Sequence, residues 1–104
     1  MEVIINTDNH INGSEAFRQE YTALIQKSLK RFDEYVTAVE VYFSNENKAK
    51  SSPDDKRCVI EARVKGRNPD SASHNADTLK HAFDGALEKI KSVLTRVVDQ
   101  YKTH

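Results

Sequence analysis

The sequence predicts an α+β fold, a two-layer sandwich of order β-α-β-β-β-α. Two helices are expected on one face of a mostly antiparallel four-stranded sheet. Three observations carry this. Two segments repeat apolar residues at spacings of three and four, the period of a helix with one buried side: Phe17 to Phe32, and Leu79 to Tyr101. Two others, "TAVEVYF" and "CVIEARVKG", alternate apolar and polar residues, the period of a strand covered on one face. At 104 residues the chain fits one domain with one core, and elements with one apolar face each satisfy one another by stacking in two layers.

"VIINT", from Val3 to Thr7, is short and β-branched, and Asp8, Asn9 and Asn12-Gly13 follow it, so it reads as a strand entering a loop. In the next segment Phe17, Tyr21, Leu24, Ile25, Ser28 and Phe32 mark a helix from about Ser14 to Phe32. Either Asn12, with Glu15 three residues on, or Ser14 caps it. In the second strand Val39, Val41 and Phe43 share one face; in the third, Cys58, Ile60, Ala62 and Val64 do. Between them "NENKAKSSPDD" is nearly free of apolar residues and reads as a long, mobile, exposed hairpin loop. After Gly66, "RNPDSASHN" allows only a ragged fourth strand at an edge, because Pro69 lacks an amide donor. From Asn75 or Asp77 the helical period runs to Lys102, with Gly85 its one weak point. Such a helix is about 39 Å long at 1.5 Å per residue, so its end is expected to project beyond the sheet.

Composition narrows the function. Sixteen basic and sixteen acidic residues cancel, so a polyanion would have to be met by a local patch and not by the overall field. A lone cysteine, Cys58, and an N-terminus without a basic leader or long apolar run suit the cytoplasm. No segment approaches the roughly 20 apolar residues of a membrane span. Glycines at 13, 66 and 85 belong to no phosphate-binding loop, and there is no nucleophile elbow or Cys-x-x-Cys. Neither an enzyme, nor a cofactor, nor a small-molecule substrate is expected. His74, Asp77 and His81 can be written as a metal trio, but Asp77 is better explained as a helix cap and His74 as a strand-edge residue, so no metal is expected. Cys58, beside Arg57, alternates onto the face of Ile60 and reads as a buried, inert thiol. Tyr35, Tyr42 and Tyr101 suit base stacking, though packing at the edge of the core is the better explanation for each.

The basic residues are patterned. In the last helix Lys80, Lys91 and Lys102 fall close to one line, because eleven residues make nearly three turns. Lys89 and Arg96 follow the other border of the apolar stripe, with His81, Glu88 and Asp99 on the outer face between. Lys27, Lys30 and Arg31 gather at the end of the first helix. The helix macrodipole and lysine stems lying along apolar surface account for such rows without any ligand.

The order of elements and several stretches together resemble the ribosome hibernation-promoting factors, also called ribosome-associated inhibitor or sigma-54 modulation proteins. "INGSEAFRQEY", "KSLKRFDEYVTAVEVYFS" and "CVIEARVKG" are similar to the family's first helix and central strands, and "SHNADTLKHAFDGALEKIKSVL" to its final helix. The resemblance implies a fold like that of double-stranded-RNA-binding domains. It also implies binding to the small ribosomal subunit, on its 16S-type rRNA in the decoding channel, and silencing of ribosomes under stress or in stationary phase. The residues that carry over are Lys27, Lys30 and Arg31, and Lys89 with Lys91; Lys80 and Arg96 extend the same rows. Family members commonly have a more basic second helix, whereas this chain has Asp84, Glu88 and Asp99 there, which predicts weaker phosphate binding. The chain ends at His104, so the ribosome-pairing domain of long members is expected to be absent. A second expectation, favoured by zero net charge, is a protein-interaction module that kept the fold and lost affinity for rRNA.

Overall fold

A computed structural model describes residues 1–46 and 53–102. Its elements are β1 (Glu2–Thr7), α1 (Glu15–Ser28), a 3-10 turn (Lys30–Phe32), β2 (Val36–Asn45), β3 (Lys56–Val64), β4 (Asp70–Ala76) and α2 (Leu79–Lys102). The expected order β-α-β-β-β-α is the observed one. The strands lie side by side in chain order. β1 runs parallel to β2, because α1 carries the chain back across the sheet, and the β2–β3 and β3–β4 pairs are antiparallel.

Alternation decides which face of the sheet is covered. Val39, Val41 and Phe43 of β2 and Cys58, Ile60, Ala62 and Val64 of β3 are buried, as their period requires. The helices meet them through an aromatic cluster in which the Tyr21 ring lies 4.8 Å from each of Phe17, Phe43 and Phe83. α2 buries Ala82, Phe83, Ala86, Ile90, Leu94 and Val97 along one stripe. The opposite face of the sheet is open and carries Ile4 and Tyr42, both partly exposed.

Four expectations need correction. The Ser14 hydroxyl accepts from the Phe17 amide at 3.1 Å and is the cap of α1, but the α-helix closes at Ser28. Phe32 still reaches the core because the 3-10 turn keeps it on the buried side. The fourth strand is not ragged: β4 pairs without a break from Lys56↔Ala76 to Ala62↔Asp70. Pro69 stands just ahead of it, where its missing donor removes no ladder bond. Asn75 and Ala76 belong to that strand, so α2 begins at Leu79, and the Thr78 hydroxyl, not Asp77, caps it by accepting from the His81 amide at 3.0 Å. Finally, the C-terminal turn of α2 does not stand free. Tyr101 donates its hydroxyl to the Lys65 carbonyl and its ring lies 6.0 Å from that of Tyr35.

Gly66, at φ +78°, turns the chain from β3 toward β4 in a conformation that side chains disfavour. At the other hairpin the ladder continues one pair past the strands, with Glu46 N donating to Asp55 O at 2.7 Å. The loop tip that was expected to be mobile, 47–52, lies outside the described residues. Among the described residues no helix is long and apolar enough to cross a membrane.

Candidate nucleic-acid interface

The seven basic candidates lie on the helices and the turn after α1, and the structure divides them into groups. Arg31, Thr95 and Lys91 meet at the seam between the helices. Arg31 Nη2 donates to Thr95 Oγ1 at 3.0 Å, and that hydroxyl donates to the Lys91 carbonyl at 2.8 Å. The Arg31 guanidinium also covers the Phe32 ring, 4.5 Å from its centroid, which fixes the plane of the fork beside the core. Lys27 stands in the last turn of α1, just ahead of the 3-10 turn that carries Arg31. Lys30 instead borders a shallow hollow with Met1, Gln26 and Asp33. On α2, Lys89 and Arg96 follow the border nearer β4, where Lys89 Nζ donates to the Ser73 carbonyl at 2.9 Å. A single unbroken ridge is therefore not what these residues form.

Their partners differ in strength. Lys80 pairs with Asp84 at 2.7 Å and Lys91 with Glu88 at 3.8 Å, both within α2. Exposed pairs of this kind contribute about 0–1 kcal/mol, so a phosphate competes with them readily. Lys27, Lys30 and Arg96 are exposed, and their side chains bond no other described residue.

The remaining candidates are accounted for by the fold. His81 Nδ1 lies 2.7 Å from Asp77 Oδ1, a hydrogen bond that lowers the Asp77 carboxyl below its ordinary range. His74 sits apart from that pair with its ring against Gly85, and among the described residues no trio of His, Cys, Asp or Glu is placed to hold a metal. Cys58 is fully buried, and burial pushes its thiol up to about 12, so it stays protonated and unreactive. Tyr42 donates its hydroxyl to Glu40 at 2.7 Å on the open face, while Tyr35 and Tyr101 pair with each other. Two residues escaped the sequence reading. Thr95 joins the two helices through Arg31, and Arg18 reaches the carbonyl of Ile5 on β1. Neither partner is close in sequence, so spacing holds no signal for them.

A family model described as "Sigma 54 modulation protein / S30EA ribosomal protein" matches residues 4–102. Among solved structures, a ribosomal subunit interface protein from Coxiella burnetii is similar at 18% identity and a TM-score of 0.67, covering 100% of both chains. The N-terminal domain of Protein Y from Thermus thermophilus is similar at 19% identity and a TM-score of 0.67, covering 93% of this chain and 99% of its own. At such identities the likeness is one of fold. No curated protein sequence matches the chain. The match across nearly the whole length settles its membership: the chain belongs to the Sigma 54 modulation protein / S30EA ribosomal protein family.

Proposed function

We propose that this chain, acting as one domain in the cytoplasm, binds the small ribosomal subunit in its decoding channel and holds translation off under stress, without catalysis. The contacts are to rRNA phosphates and not to base edges, so affinity is salt-dependent and largely indifferent to sequence. Lys27, Lys30, Arg31, Lys80, Lys89, Lys91 and Arg96 are the residues that would make them. One observation supports the reading most. Lys27, Lys30 and Arg96, exposed and with side chains bonded to no other described residue, stand on the helix layer of a chain whose family is described as ribosomal. Zero net charge does not oppose this, because the contacts are local and acidic residues such as Glu40 and Glu61 lie on the open face of the sheet.

Sedimentation with ribosomes tests it. Wild type is expected in the ribosomal pellet at about 50 mM salt and largely released by about 200 mM, the behaviour of a protein held by several phosphates. Changing Lys27, Lys30, Lys89 and Lys91 together to Glu should leave the circular dichroism unchanged and abolish pelleting. The second reading, a protein-interaction module, has its own observation: Asp84 and Glu88 occupy two of the lysines. Wild type remaining in the supernatant at low salt would favour it.

A further inference from the structure

The sheet has two free edges, and the hydrogen-bond ladder fixes which backbone groups face outward. Glu46 N donates to Asp55 O, and bonded pairs recur at every second residue of an antiparallel ladder. Ser44↔Arg57, Tyr42↔Val59 and Glu40↔Glu61 are therefore bonded pairs, and the even-numbered residues of β3 turn their groups toward β4. Through the register Cys58↔His74 and Ile60↔Ala72, the even-numbered residues of β4 take those bonds. Ser71, Ser73 and Asn75 are left with amide and carbonyl aimed away from the sheet. On the other edge, Asp8 N donates to Phe43 O of the parallel partner. By the same alternation Val3, Ile5 and Thr7 face outward there.

A helix cation occupies the middle carbonyl of each row. Lys89 of α2 donates to Ser73 O at 2.9 Å, and Arg18 of α1 donates to Ile5 O. Neither cation pairs with a carboxylate among the described residues. An open edge of this kind is a template for a further strand, and β4 is suited to pairing with itself. About a two-fold axis through Ser73, Ser71 would face Asn75, small uncharged side chains with no like charges opposed. Lys89 obstructs that pairing twice. Its ammonium fills the carbonyl that the second strand's donor needs, and two docked copies would bring both ammonium groups to the axis.

We propose that Lys89 keeps the β4 edge closed to a second copy of this chain, and that removing its charge opens the edge to antiparallel β4–β4 pairing. The proposal is independent of ribosome binding. It gives Lys89 a role in the free protein that a phosphate would have to displace.

Analytical ultracentrifugation of Lys89→Met, which keeps the apolar stem, tests it. Wild type and Lys89→Arg are expected to sediment as monomers, while Lys89→Met dimerises about tenfold or more tightly than wild type. Hydrogen exchange should show the amides of Ser71, Ser73 and Asn75 unprotected in wild type and protected in the Lys89→Met dimer. Adding Ser73→Pro removes an outward donor without costing a bond to β3 and should restore the monomer; Ser71→Pro gives the same readout should that variant not fold. Monomeric Lys89→Met at about millimolar concentration, or a dimer indifferent to both prolines, overturns the proposal.

Discussion

Gly85 is a poor helix former in mid-α2, and the ring of His74 explains its presence. A β-carbon there would lie 2.1 Å from His74 Cδ2 and 2.3 Å from its Cγ, far inside contact distance. Two effects oppose each other in Gly85→Ala. The alanine favours the helix by about 1 kcal/mol, but forcing the ring aside costs roughly 1–3 kcal/mol. The ring cannot swing away freely, since His74 lies in β4 opposite fully buried Cys58. Overpacking is expected to win, so Gly85→Ala should lower the urea midpoint. In a His74→Ala background the same change should raise it. A rise in both backgrounds would show that the ring is not held where the structure puts it. The sequence marks Gly85 as a weak point without showing why, because its neighbour in space belongs to another element.

At the level of elements, the period of a segment was readable wherever the segment supplies the core. β2 and β3 bury every second residue, and their faces follow directly from Val39, Val41 and Phe43 and from Cys58, Ile60 and Ala62. β4 contributes little. Of its residues facing the helices only Ala76 is buried, so "DSASHNA" shows no alternation, and its regularity comes from pairing with β3 instead. For the same reason the sequence sets the start of α2 too early, with Asn75 or Asp77 as the helix entrance and Asp77 as its cap. Thr78 holds that position, accepting from the His81 amide. Thr78→Ala is therefore expected to cost about 1 kcal/mol in denaturant unfolding, the usual loss of a capping hydroxyl. Asp77→Ala should cost less at neutral pH, and its effect should shrink in acid. The Asp77 carboxyl is held low by His81, so its stabilising contribution is present above the ordinary carboxylate range and fades as pH falls through the folded value. Equal losses from the two variants would return the cap to Asp77.

Across the whole molecule, the basic rows of α2 could be read from spacing alone, whereas their destinations depend on which neighbour each border faces. The Lys91 border faces the α1 seam through Thr95 and Arg31, and the Lys89 border faces the outer strand. The pairings within α2 are local: Lys80 with Asp84 four residues on, Lys91 with Glu88 three before. They bear on how an electrically balanced protein grips a polyanion. Both carboxylates are well exposed, at 49% for Asp84 and 78% for Glu88, so neutralising them costs little stability. Asp84→Asn with Glu88→Gln leaves Lys80 and Lys91 without those partners. Each ammonium that then meets a phosphate steepens the dependence of log K on log salt by about 0.7–0.9. The double variant is thus expected to pellet with ribosomes at higher salt than wild type, with a slope steeper by up to about 2 and an unchanged unfolding midpoint. Adding Lys80→Gln and Lys91→Gln should abolish the gain. A slope unchanged by the carboxylate substitutions and also by Lys80→Gln with Lys91→Gln would mean that Lys80 and Lys91 do not meet phosphates, and the interface would shrink to the cluster at the end of α1 and the β4 border of α2.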